Sequence, residues 1–140
     1  MNRPLYTTEV LRLAASLQGP RELERVDGRA EVRSQTCGSR VSITVQLDED
    51  RRVYAITQTV QACAFGQASA ALVEHHALGR NHAEVADAML ALSRWLAGHQ
   101  DDSGDWPGLG VLEPARGRQP RHGAILLPFR ALLAAMEDAR

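Results

Sequence analysis

The amino-acid sequence predicts one α+β domain over residues 1–140, in which a three-stranded antiparallel sheet packs against helices. The predicted elements run in the order helix, three strands, helices, and this order lacks the strand and helix alternation of a doubly wound parallel sheet. The chain has 140 residues, of which 44% are hydrophobic and 24% are charged. These values are typical of a single globular domain, so we expect one hydrophobic core.

The first half of the chain is predicted to form a helix and then the sheet. Apolar residues recur at helical spacing over 7–17, and Thr7 or Thr8 can serve as the N-cap. Runs rich in β-branched residues then predict three strands, at 30–36, 40–47 and 52–60. Alternate residues of the middle strand are apolar, which indicates one buried face. The polar tract 48–51 predicts a hairpin between the last two strands.

Helices are predicted for most of the second half. Small, helix-compatible residues follow the third strand and stop at Gly79, a residue type that often ends a helix. Asn81 and Glu84 have the spacing of a capping box at the next helix start. Clusters of Pro, Gly and Asp predict a loop over 99–123 with one short helical turn. In the final helix Pro128 must lie in the first turn or bend the helix, because proline has no N–H to donate.

Composition and charge exclude several classes of function. The formal net charge is −1, so we expect no nucleic-acid partner, which would require a strongly basic face. All sixteen basic residues are arginines, and without lysine neither a Schiff base nor a Walker-type phosphate loop can form. No secretory signal and no stretch of about 20 apolar residues is visible. We therefore expect a cytoplasmic protein without a membrane partner.

Three residues are the candidates for chemistry: Cys37, Cys63 and His122. Cys37 lies at the turn between the first two predicted strands, beside Gly38, and His122 opens the final helix. Cys63 lies where the third strand passes into a helix, and the free N–H groups of a helix start stabilise a thiolate, the form that binds metals and accepts sulfur. A disulfide between the cysteines is not expected in a reducing compartment. The alternative is that both thiols simply pack in the core, where free cysteine is common.

Three segments around these residues carry a resemblance to a known family. The segments TCGSRVSITVQLD, VQACAFGQASAALVE and RHGAILLPFRAL resemble the iron-sulfur cluster scaffold family of IscU, SufU and the NifU amino-terminal domain. The resemblance covers nearly the whole chain, and it implies a SufE/NifU-like fold and a scaffold role in iron-sulfur cluster assembly. The long insertion before the final helix is more similar to the SufU type than to the IscU type.

In that family three cysteines and an aspartate hold a transient [2Fe-2S] cluster or a zinc ion. The resemblance implies Cys37 and Cys63 as ligands of a cluster, iron or zinc, and His122 as a further metal ligand. The aspartate position falls on Ser39 and the third cysteine position on Gly123. Two of the family's ligands are therefore replaced, and we expect an open or labile site.

The remaining donors of such a site are left open by the sequence. A tetrahedral iron or zinc site needs about four donors. Water, Ser39, a histidine such as His75 or His76, or a partner protein are the candidates. The predicted loop also carries three arginines, Arg116, Arg118 and Arg121. They are candidates for a surface that binds an acidic partner protein.

Three functions fit these observations. In the first, the protein is a scaffold that binds iron, a [2Fe-2S] cluster or zinc through Cys37 and Cys63. In the second, Cys37 accepts persulfide sulfur. In the third, the chain is a degenerate scaffold homologue that serves as an interaction or regulatory module for a cysteine desulfurase without assembling clusters. All three imply a cysteine desulfurase as partner and leave a homodimer open, and no motif of an independent enzyme occurs.

Overall fold

The computed structural model describes residues 6–35 and 38–139, and these contain three strands, four α-helices and two 3-10 helices. The strands β1, β2 and β3 span Gly28–Arg33, Arg40–Leu47 and Val53–Gln61. The helices α1, α2, α3 and α4 span Thr8–Ala15, Ala64–His76, His82–Leu96 and His122–Asp138. The 3-10 helices span Leu109–Ala115 and Gln119–Arg121. The predicted α+β class and its element order are confirmed.

The strands pair antiparallel in the order β1, β2, β3. The alternate apolar residues of β2 are buried, as their pattern predicts; they are Val41, Ile43, Val45 and Leu47. Asp27 joins the start of β1 to the end of β2, because its carboxylate accepts hydrogen bonds from Arg25 Nε at 3.0 Å and from Leu47 N at 2.7 Å. The hydrogen bond from Arg25 first, and the Leu47 amide second, hold the pKa of Asp27 below its ordinary range.

Helices α2 and α4 cover one face of the sheet, with α4 across β1 and β2 and α2 against β3. At Gly28 the sheet and α4 lie so close that an added Cβ would overlap the Ala135 carbonyl oxygen. Between β3 and α2, the buried Gln58 side chain donates from Nε2 to the Ala70 carbonyl at 2.9 Å. The sheet therefore fixes where both helices lie.

Trp106 anchors the long connection between α3 and α4. Its indole N–H donates to the Leu72 carbonyl at 3.0 Å, and its ring meets the edge of Phe129 with centroids 5.1 Å apart. Trp95 of α3 is buried as well. Both tryptophans thus pack in the core, and Trp106 holds the connection between α3 and α4 against α2 and α4.

The structure confirms one predicted helix start and differs from the sequence prediction at two other places. The capping box of Asn81 and Glu84 is present at the start of α3. The connection contains a seven-residue 3-10 helix and a second one of three residues, so it is more helical than predicted. Pro128 lies in the second turn of α4 and not in the first, because the helix already begins at His122. No helix in the part of the chain that the structure describes has both the length and the apolar character of a membrane span.

Candidate functional site

Cys63 is the residue immediately before α2. It occupies the N-cap position with an extended backbone (φ −65°, ψ 173°) and makes no capping hydrogen bond. Its thiol is free and half-buried. The first N–H groups of a helix have no acceptor within the helix, and they point out of the helix at its N-terminus. The thiol therefore lies at the end of α2 where donor groups are exposed, as the sequence predicts.

The turn between β1 and β2 lies at the same end of the sheet as the junction of β3 and α2. Arg40, the first residue of β2, is opposite Gln61, the last residue of β3, and their side chains are joined by a hydrogen bond of 2.7 Å. Across the turn, Ser34 N donates to the Ser39 carbonyl at 2.8 Å. Cys37 lies outside the described residues, so its role as a ligand or sulfur acceptor stays a prediction.

The starts of α2 and α4 pack against each other. Gly66 is the third residue of α2, and a Cβ added to it would lie 3.3 Å from the carbonyl oxygen of Ala124, the third residue of α4. One turn further along, the buried Ser69 hydroxyl donates to the Ile125 carbonyl at 2.6 Å. Both helices therefore begin at the same end of the molecule.

His122 is the first residue of α4, and two carbonyl groups orient its ring. Nε2 lies 2.8 Å from the Ala115 oxygen and 3.2 Å from the Arg116 oxygen. Both oxygens can only accept, so Nε2 carries the hydrogen. In the neutral imidazole this leaves Nδ1 with a lone pair that can bind a metal ion. The end of the molecule that carries the Cys63 thiol thus also carries an oriented imidazole.

Positive charge gathers around these helix starts. The N-terminus of each helix contributes a partial positive charge. Arg118 and Arg121 lie just before His122, and no hydrogen bond or ion pair within residues 6–35 and 38–139 involves either guanidinium. This arrangement favours anionic groups such as a thiolate, a sulfide or a carboxylate.

The other residues that the sequence offered as metal donors do not lie beside Cys63 and His122. His75 and His76 lie at the far end of α2, and twelve residues of helix at 1.5 Å each put them about 18 Å from the thiol. These two histidines, which the sequence left open among the candidates for the fourth donor, therefore do not complete a site with Cys63 within a single chain. Ser39 is buried, and Gly123 has no side chain to offer. Among the described residues no three His, Cys, Asp or Glu side chains form a metal-binding group.

Arg116 has a role that the sequence interpretation missed. Its Nε donates to the Trp95 carbonyl at 2.9 Å, its Nη2 donates to the Gln100 carbonyl at 3.0 Å, and its guanidinium lies 5.1 Å from the centroid of the Trp95 ring. Its part in a docking surface for an acidic partner stays a prediction, although two of its guanidinium nitrogens already donate inside the molecule. No local pattern could reveal this, since both acceptors are distant in sequence.

Comparison with known proteins gives matches in structure only. Neither a protein-family model nor a curated protein sequence matches the chain. The fold is similar to the crystal structure of a NifU-like protein (N-terminal) from Brucella abortus, with 27% identity, a TM-score of 0.86, and coverage of 96% of this chain and 93% of that one.

Two further solved structures share the fold. One is a hypothetical protein with 22% identity and a TM-score of 0.80, over 95% of this chain and 97% of that chain. The other is described as an iron-sulfur cluster assembly scaffold for the SUF system of Fervidobacterium islandicum, with 18% identity and a TM-score of 0.79, over 94% and 96%. At these identities the likeness shows the fold alone.

The chain thus has an α+β fold like that of the NifU-like and SUF-system structures. The resemblance to the iron-sulfur cluster scaffold family, predicted from three sequence segments, is confirmed by similarity to a NifU-like amino-terminal structure over most of both chains.

Proposed function

We propose that this protein is a scaffold-like component of iron-sulfur cluster assembly that carries iron, a [2Fe-2S] cluster or zinc through Cys37, Cys63 and His122. The observation that supports this best is the arrangement of the Cys63 thiol and the His122 imidazole on two helix starts that pack together, in a fold shared with a NifU-like protein. We expect the chain to act as one domain in the cytoplasm, where reducing conditions keep its thiols free.

The donor chemistry fits such a cargo. Thiolate sulfur and imidazole nitrogen are common ligands of zinc and of iron in clusters. With Ser39 and Gly123 at two of the family's ligand positions, the chain supplies three donors, and water or a partner supplies the fourth. A site with an incomplete protein ligand set releases its metal more readily than a closed structural site, which suits a protein that passes its cargo on.

Metal binding tests this proposal directly. The metal-free protein is titrated with zinc, and separately reconstituted with iron and sulfide without oxygen. We expect one site per chain, its loss in a Cys37→Ala, Cys63→Ala variant, and weaker binding in His122→Ala. His75→Ala is the matched control, because it removes a histidine at the far end of α2 and should bind like the wild type. Equal metal uptake by the wild type and the double cysteine variant would remove the assignment.

Sulfur acceptance is a second route through the same thiols. The Cys37 thiolate would attack the terminal sulfur of a desulfurase persulfide, the S–S bond of the donor would break, and the donor cysteine would leave as a thiolate. The exchange is balanced without an external oxidant or reductant. After incubation with a cysteine desulfurase and free cysteine, mass spectrometry should show one added sulfur on Cys37. A persulfide that is equally abundant in Cys37→Ala would assign the sulfur elsewhere.

A second candidate function is that of a desulfurase-binding module that assembles no cluster. The guanidiniums of Arg118 and Arg121, which pair with no other side chain among the described residues, favour it, because they suit an acidic partner surface. The test is capture of a cysteine desulfurase by the metal-free protein. Capture that persists in the double cysteine variant and is lost in Arg118→Glu, Arg121→Glu supports the module. Capture that requires both thiols argues against it.

A further inference from the structure

A continuous set of hydrogen bonds runs from the end of α3 to the ring of His122. It begins at the Arg116 guanidinium, whose Nε and Nη2 hold the Trp95 and Gln100 carbonyls at 2.9 and 3.0 Å. The same guanidinium lies over the buried Trp95 ring. A planar group with donors in a fixed fork is suited to two acceptors at once, and a lysine ammonium cannot reproduce that geometry.

The backbone at Arg116 continues this set toward the site. Arg116 ends the 3-10 helix, and its own N–H donates to the Glu113 carbonyl at 2.9 Å. The carbonyls of Ala115 and Arg116 are the two acceptors of His122 Nε2. The residue whose side chain is clamped to α3 therefore also supplies, with its neighbour, the groups that orient the imidazole.

We propose that Arg116 is a positioning residue that holds the His122 imidazole in the Nε2–H form, with Nδ1 directed to metal binding. The inference rests on the proposed function in one respect, that His122 is a ligand. Ligating histidines are ordinarily oriented in this way, by a carbonyl or carboxylate that accepts the hydrogen of the other ring nitrogen. Here the acceptors are the backbone carbonyls of Ala115 and Arg116. Their position depends on what holds this stretch of backbone, and the Arg116 guanidinium holds it through its two hydrogen bonds to the Trp95 and Gln100 carbonyls.

The ring hydrogen of His122 gives a test that does not depend on metal. In a nitrogen-proton NMR spectrum of the metal-free protein, the Nε2–H resonance, assigned by its absence in His122→Ala, should be visible because two carbonyls shield it from exchange. We expect Arg116→Ala to lose this resonance through exchange with solvent. Arg94→Ala is the matched control, since it removes an equal charge from an exposed side chain on α3, and it should keep the resonance.

A conservative variant separates positioning from folding. Arg116→Lys keeps the charge and the aliphatic stem on Trp95 but loses the fork, so the ring hydrogen should exchange faster than in the wild type while the backbone amide spectrum is retained. Wild-type exchange of the ring hydrogen in both Arg116→Lys and Arg116→Ala would overturn the proposal.

Zinc affinity measures the consequence for the site. Loss of a group that orients a ligand typically weakens metal binding about 10-fold to 100-fold, and we expect a loss in that range for Arg116→Ala and none for Arg94→Ala. In a His122→Ala background, Arg116→Ala should add no further loss. An equal loss in that background would show that Arg116 acts elsewhere and would overturn the proposal. Absence of zinc binding by the wild type would instead defeat the proposed function, and the NMR result would still decide the positioning role.

Discussion

Gly66→Ala tests whether the two helix starts are in contact. The added Cβ would lie 2.6 Å from the Ala62 Cβ and 3.3 Å from the Ala124 carbonyl oxygen. The Ala62 Cβ is attached directly to the backbone, so the chain just before Cys63 must shift to accommodate the methyl group. Such overpacking costs about 1–3 kcal/mol, while replacing a helical glycine by alanine stabilises by at most about 1 kcal/mol. With the full propensity gain, the balance is a net loss of up to about 2 kcal/mol, or up to roughly 8 °C in Tm for a chain of this size.

The direction of the change in the free energy of unfolding is what distinguishes the two effects, because helix propensity alone would make the variant more stable than the wild type. Urea unfolding followed by circular dichroism gives the free energy of unfolding, and calorimetry gives Tm. Gly110→Ala is the control, since a Cβ there meets no atom within 4 Å, and its free energy of unfolding should change by less than about 0.5 kcal/mol. A Gly66→Ala protein more stable than the wild type would refute the close packing of the start of α2 against Ala62 and against α4.

Two further substitutions probe the framework around the site. Ser69→Ala removes the buried hydrogen bond to the Ile125 carbonyl and should lower the free energy of unfolding in urea by about 1 kcal/mol; an unchanged value would contradict that bond. Asp27→Asn should flatten the dependence of stability on pH, because the hydrogen bonds from Arg25 and Leu47 lower the pKa of Asp27. Its stabilisation is present above the unfolded value of about 3.9 and is lost as the pH falls through the lower folded value. Equal slopes for variant and wild type in urea unfolding below about pH 5 would refute this role.

The elements that were predictable from the sequence are those set by local patterns. The bounds of β2 follow from strict alternation of apolar residues, and the start of α3 follows from the Asn81 and Glu84 capping box. The start of α4 at His122 agrees with the sequence interpretation, whereas the expectation that Pro128 lies in the first turn was wrong, because six helical residues precede it.

In the candidate site, too, the features set by local sequence patterns could be predicted and those set by tertiary contacts could not. Cys63 at a helix start could be predicted, since the end of a strand and the beginning of an Ala-rich helix are both local signals. The distance of His75 and His76 from that thiol follows only from knowing that α2 is continuous. The Arg116 fork could not be predicted, because its acceptors are brought near by the fold of the whole connection between α3 and α4.

The coordination shell of the bound metal tests the central claim most directly. X-ray absorption of the zinc-loaded protein should show sulfur neighbours at about 2.3 Å and nitrogen or oxygen neighbours at about 2.0–2.1 Å. The imidazole scattering should disappear in His122→Ala and persist in His75→Ala. A zinc shell without sulfur, or a spectrum that His122→Ala leaves unchanged, would contradict a site shared by the Cys63 thiol and the His122 ring.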